Sequence, residues 1–99
     1  MNSIICVCLF FILIALAIIA DAIQDTITWK YDNSIFKNCK KRTYFDPNMS
    51  WVNKYKEGDP KKGSKFFGST TIFVFVTDFY HLIKMIKLLC IYGSFALLL

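Results

Sequence analysis

Thr77, Asp78, His81 and Lys84 are the residues of this chain whose types and spacing come nearest to chemistry. On an α-helix, positions three and four apart share a face, so the four would form one polar stripe. Phe75, Phe79, Leu82, Ile83 and Ile86 would cover much of the remaining circumference. Within the stripe, Asp78 could orient the His81 ring or take its proton. An ionisable residue in a membrane segment is costly, which makes it a functional candidate. A metal site would need a third ligand, from Asp59 or a partner subunit. The blander alternative is preferred: an amphipathic helix at the membrane interface whose Asp78, His81 and Thr77 satisfy one another, with a polar interaction site for a partner helix as the next choice. The expectation is therefore a candidate interaction stripe, with no catalytic residue, no metal and no cofactor.

Two apolar runs must position that stripe. Ile4 to Ile23 is a 20-residue stretch whose only formal charge is Asp21, and the chain closes with the apolar run Leu88 to Leu99. About 20 apolar residues in a helix cross the hydrocarbon layer of a bilayer. The 99 residues are 56% hydrophobic and 19% charged, more apolar surface than a soluble domain of this size can hide. A cleaved secretory signal is the rival for the first run, since Ala20-Asp21-Ala22 fits a small-x-small cleavage pattern. The n-region Met1-Asn2-Ser3 lacks Lys and Arg, and the apolar core exceeds that of an ordinary signal, which favours an uncleaved anchor.

The last run is 12 residues, about 18 Å of helix and too short to cross alone. Starting it at Leu82 requires Lys84 and Lys87 to reach one interface. Packing in an oligomer would complete it, or else the chain is a truncated form of something longer. Ile72, Val74 and Val76 would also suit a strand, but a lone strand has no evident partner, so the segment from Thr70 is read as helix.

The segment between the runs is basic and aromatic. The net charge of the chain is +5, and residues 21 to 65 hold ten of the twelve Lys and Arg residues and six of the seven acids. The positive-inside rule puts this segment in the cytoplasm and the N-terminus outside. Ile23, Ile27, Tyr31 and Ile35 recur every fourth residue, so the first helix should continue past the membrane surface. Trp29, Lys30 and Tyr31 then fall at headgroup level. Lys37, Lys40, Lys41 and Arg42 form a cluster in which each charge near an anionic leaflet contributes about 1 kcal/mol. Asp46-Pro47 marks a turn. Ser50 is placed to cap a short helix from Trp51 to Glu57, with Gly58 ending it and Trp51, Lys54 and Tyr55 lying flat at the interface. No interleaving of bases and aromatics suggests nucleic acid.

Two further motifs carry little. Gly63 to Thr70 has the spacing of a phosphate-binding loop, but Ser69 stands where Lys is needed and no buried strand precedes it, so nucleotide hydrolysis is rejected. A helix opening at Gly68-Ser69 could still offer its N–H groups to an anion, and Ser69 as a simple helix N-cap is preferred. Cys6, Cys8, Cys39 and Cys90 show no framework spacing and read as small apolar side chains.

The strings Asp46 to Gly63, Phe67 to Thr71 and Thr77 to Lys84 together resemble a group of small uncharacterised membrane proteins of Bacteroidetes and their phages, over about residues 30 to 88. The resemblance implies an inner-membrane protein with a basic, aromatic linker between apolar helices, and its members continue past the final helix. The reading at this point is an all-α membrane protein in three parts: a transmembrane helix over 1–23, a basic interfacial linker with a short helix over 24–68, and an amphipathic-to-apolar helix over 69–99. Its expected setting is the bacterial inner membrane, and its expected role that of a non-enzymatic component binding anionic lipid headgroups, a membrane-protein partner or a second copy. A holin-like phage protein that permeabilises membranes is one alternative. A membrane enzyme or ion-site subunit using Asp78 and His81 is the other.

Overall fold

The computed structural model of the chain describes residues 2–38 and 40–99; the expectation of a buried apolar thiol at Cys39 lies outside them. Helices and single 3-10 turns make up 73% of the structure, with no strand among the described residues. The α-helical pieces among the described residues are α1 (Ser3–Trp29), α2 (Arg42–Phe45), α3 (Pro47–Ser50) and α4 (Phe79–Leu98).

The apolar run does not end at Ile23 as a helix. It continues to Trp29, as the four-residue spacing suggests, and Ile27 on that extension is fully buried. Asn2 starts α1 by accepting the Ile4 N–H at 2.8 Å, which satisfies one of the orphan donors of the first turn. Lys30 leaves the helical region and its N–H closes on the Thr26 carbonyl. Tyr31–Asn33 then forms a single 3-10 turn, so the helix does not reach Tyr31 and Ile35.

The second long helix starts later than the sequence suggests. Residues from Thr70 to Asp78 form turns and the 3-10 turn Val74–Val76, and α4 begins at Phe79 with Asp78 as its N-cap. Phe73 N–H and Thr71 N–H both close on the Gly68 carbonyl, and Gly68 itself has φ +78°. That left-handed residue turns the chain where a helix was expected to open.

α1 and α4 pack antiparallel along their lengths. Lys87 lies beside Asp21 and Gln24, and a Cβ added to Gly93 would stand 3.5 Å from the Leu13 side chain. Small residues make this approach possible: Ala17 and Ala20 on α1 and Ser94 on α4 are buried, as helix pairs in apolar surroundings favour. The outer faces stay bare. Only 11% of the apolar window of each helix is buried, and both helices are long and apolar enough to cross a membrane.

The described residues between 30 and 78 fold into a cap on the end of the hairpin formed by the C-terminus of α1 and the N-terminus of α4. Its centre is aromatic: Phe36, Phe45 and Phe79 meet with ring centroids 4.9–5.4 Å apart, with Tyr44 against Phe45 at 5.2 Å. Phe79 belongs to the first turn of α4, so the cluster ties the cap to the hairpin. Asp46 caps α3 by accepting the Asn48 N–H, and Pro47 sits at its first position, where a missing N–H is harmless. The expected helix Trp51–Glu57 is instead the 3-10 turn Trp51–Lys54 followed by extended Tyr55. Ser50 closes α3 and makes no side-chain cap bond to the turn that follows. A pair of backbone bonds, Lys56 N–H to Gly63 O and Lys65 N–H to Lys54 O, folds residues 54–65 into a loop around the Tyr55–Ser64 bridge.

Candidate functional site

Asp78 is the centre of the best-defined polar cluster. It is 2% exposed. Its Oδ1 accepts the His81 N–H at 2.8 Å and faces His81 Nδ1 at 2.8 Å. Its Oδ2 accepts the Ser50 hydroxyl at 3.4 Å. Ser50 is fully buried. One carboxylate thus caps α4, holds the His81 ring and anchors α3 of the cap. Burial, and then the negative charge of Asp78, push the Tyr44 hydroxyl above its ordinary pKa, because both disfavour a phenolate.

This arrangement corrects the polar stripe. Asp78 has φ −154° and ψ 163° and stands outside the helix. Thr77 is also outside it, with its hydroxyl donating to the Val74 carbonyl at 2.7 Å. Only His81 and Lys84 share a face of α4, and Lys84 is exposed. The physical reason is that an Asp carboxylate competes for backbone N–H groups and so favours the N-cap over the helix interior. Ser69 is likewise no N-cap. It is fully buried, donates to the Lys54 carbonyl at 2.8 Å and accepts the Phe66 N–H. No helix opens at Gly68-Ser69, and the anion site imagined there does not form.

The residues expected at the interface divide into two sets. Trp29 is 80% exposed, and Lys30, Lys40 and Lys41 are exposed. Trp51 is half exposed and meets Tyr55 edge-on at 6.4 Å, while the Lys54 ammonium lies 5.5 Å over the Tyr55 ring. Tyr31 and Arg42 are instead engaged with other residues of the cap, although the Arg42 side chain stays 41% exposed. Tyr31 is buried and its hydroxyl donates to the Phe36 carbonyl at 2.8 Å. The Arg42 guanidinium sits 4.9 Å over the Tyr31 ring, donates from Nη2 to Asp32 at 2.8 Å and from Nε to Asp46 at 3.1 Å. Those two carboxylates, Asp32 first, raise the Arg42 pKa further above its already high value.

A second polar junction escaped the sequence reading. Lys87 Nζ donates to Gln24 Oε1 at 2.6 Å and to Asp21 Oδ1 at 3.1 Å, joining α4 to α1. Gln24 is buried. The signal was present: Asp21 and Lys87 are each an ionisable residue in an apolar run, and such residues seek one another. Asn53 was also missed. Its amide donates to the Thr43 carbonyl at 2.8 Å and the Thr77 carbonyl at 3.1 Å, bridging two segments of the cap.

Every buried side-chain nitrogen and oxygen among the described residues has a hydrogen-bond partner. No group of three or more His, Cys, Asp or Glu residues among them could hold a metal ion, and Asp59 is occupied in capping the Pro60–Lys62 turn. Comparison with protein-family models, curated proteins and solved structures finds no match.

Proposed function

We propose that this chain is a small, non-enzymatic integral membrane protein whose helical hairpin lies in the bilayer and whose cap binds lipid headgroups or a membrane partner at the surface. The observation that carries the reading is the bare outer surface of the hairpin. Phe11, Ile18 and Ile19 on α1 and Leu89, Phe95 and Leu98 on α4 are each more than half exposed. Continuous apolar surface of this kind needs a non-aqueous neighbour. Charge is arranged to suit. The exposed lysines belong mainly to the cap, and exposed Lys84 lies in the half of α4 nearest the cap, so it can extend toward the headgroups, while the Lys87 charge is met by Asp21 and Gln24. The positive-inside rule supports a cytoplasmic cap, with both outer ends of the hairpin on the opposite side. The resemblance of residues 30 to 88 supports a bacterial inner membrane as the setting.

The geometry around Asp78 favours a structural over a chemical role for Asp78 and His81, since the carboxylate is spent on capping and anchoring. Carbonate extraction of membranes expressing the full chain tests the reading. The chain is expected in the pellet. Recovery in the soluble fraction would overturn the membrane assignment and the lipid-surface role together.

A further inference from the structure

Two cavities that share Asn33 lie at the rim of the cap. One is an open apolar groove of ≈ 460 Å³ on the flank of α1, walled by Ile19, Ile23 and Thr26 and by Ile35 and Phe36 of the cap. The other is a polar pocket of ≈ 240 Å³ beside the end of α1, lined by Trp29, Lys30, Asp32, Arg42 and Asp46. Asn33 borders both. Along α1 the groove residues precede the pocket residues, and from Ile23 to Lys30 the helix rises about 10 Å toward the cap. The apolar chamber therefore lies on the bilayer side and the polar chamber on the water side.

We propose that the two cavities, on either side of Asn33, bind one zwitterionic glycerophospholipid, with an acyl chain in the groove and an ethanolamine-type headgroup in the pocket. The inference rests on the membrane-hairpin reading and gives it a ligand. The pocket holds two cations, Lys30 and Arg42, and two carboxylates, Asp32 and Asp46. A purely anionic or purely cationic group would meet repulsion as well as attraction there. A ligand carrying a phosphate and an ammonium a short distance apart meets both signs productively.

The individual groups are differently available. Asp46 is buried and committed to Arg42 and the Asn48 N–H. The Asp32 side chain is 81% exposed and uses only Oδ1, on Arg42. Its second oxygen can accept an N–H of a primary ammonium, a bond that a quaternary ammonium cannot offer. Arg42 is held in place from two sides and keeps further N–H donors for a phosphate, and exposed Lys30 adds a second cation. In the groove, Ile35 is 91% exposed and Ile19 56% exposed, apolar walls that an acyl chain would cover.

The test uses the purified full chain in detergent micelles, titrated separately with phosphatidylethanolamine, phosphatidylcholine and phosphatidylglycerol of identical acyl chains, with retained lipid counted by native mass spectrometry. The ethanolamine lipid should be retained about tenfold better than the choline lipid, the effect of one hydrogen bond to a charged group, and better than the glycerol lipid, whose hydroxyls bring no positive charge to Asp32. Asp32→Asn should abolish the preference over choline. Ala22 also lines the groove, and Ala22→Phe, which fills it from α1, should abolish retention of all three while helix content stays the same. Equal retention of the three lipids, or a preference that survives Asp32→Asn, overturns the proposal. A chain that resists carbonate but retains no lipid refutes this site and leaves the membrane hairpin standing; a chain that carbonate extracts refutes both.

Discussion

Replacing Asp78 by Ala separates a structural carboxylate from a chemical one. Three contacts depend on the side chain: the His81 N–H and ring Nδ1, both at 2.8 Å, and the Ser50 hydroxyl at 3.4 Å. Loss of an Asp N-cap costs about 1 kcal/mol. Ser50 is fully buried, and an orphaned buried hydroxyl costs about 1–3 kcal/mol. Its bond to Asp78 is long for an O–H···O contact, which puts this contribution at the low end, about 1 kcal/mol. The His81 side chain is 26% exposed and can turn to water, so it adds little. The expected total is about 2 kcal/mol, a large share of the stability of so small a unit.

The assay is reversible unfolding of the full chain by denaturing-detergent titration in micelles, with amide exchange at His81 and Leu82 as the local readout. Asp78→Asn keeps a good N-cap and should cost less than Asp78→Ala. Adding Ser50→Ala to Asp78→Ala should recover about 1 kcal/mol, because the orphaned hydroxyl is gone. A loss below about 0.5 kcal/mol for Asp78→Ala, within the range of an ordinary surface change, would refute the reasoning. So would a double variant that is simply additive.

Lys87→Met should weaken the α1–α4 pairing by about 1 kcal/mol, since hydrogen bonds between membrane helices average about 0.6 and reach about 1.7 kcal/mol. Combining it with Gln24→Leu should cost less than the two single changes together, as measured by a double-variant cycle in the same micelles. The Tyr44 hydroxyl has its pKa raised above 10.0 by burial and by Asp78. Its contribution to stability is therefore present below the ordinary tyrosine value and is lost as pH rises through the folded value. An alkaline unfolding titration should show this slope, and Tyr44→Phe should flatten it.

The long helices were legible because their signal is local. A run such as Ile4 to Ala20 is apolar on every side, and Lys-rich residues 37–65 are polar enough to remain at the surface. The turns were less legible. Asp46-Pro47 reads correctly as a break, because Pro cannot continue a preceding helix and Asp can accept the next free N–H. The same logic applied at Asp78 would have started α4 at Phe79. The stripe of Thr77, Asp78, His81 and Lys84 obscured it, since helical spacing fits a residue at the N-cap as well as one inside the helix. Ser69 misled for the opposite reason: its hydroxyl found the distant Lys54 carbonyl, and no local pattern reveals a partner fifteen residues away.

The sequence alone determined the class of molecule: two helices with more apolar surface than each other can cover, and a basic aromatic segment between them. Composition and periodicity suffice for that, because each residue contributes its hydropathy whatever its neighbours are. Tertiary structure decided which polar groups meet. It set Lys87 against Gln24 and Asp21, placed Arg42 between Asp32 and Asp46 over Tyr31, and buried Asp78 between His81 and Ser50. Hydrogen bonds and ion pairs act over a few ångströms, so their partners are chosen by how the hairpin and cap pack. That packing brings together residues as far apart in the chain as 50 and 78, and spacing along the sequence carries no record of it.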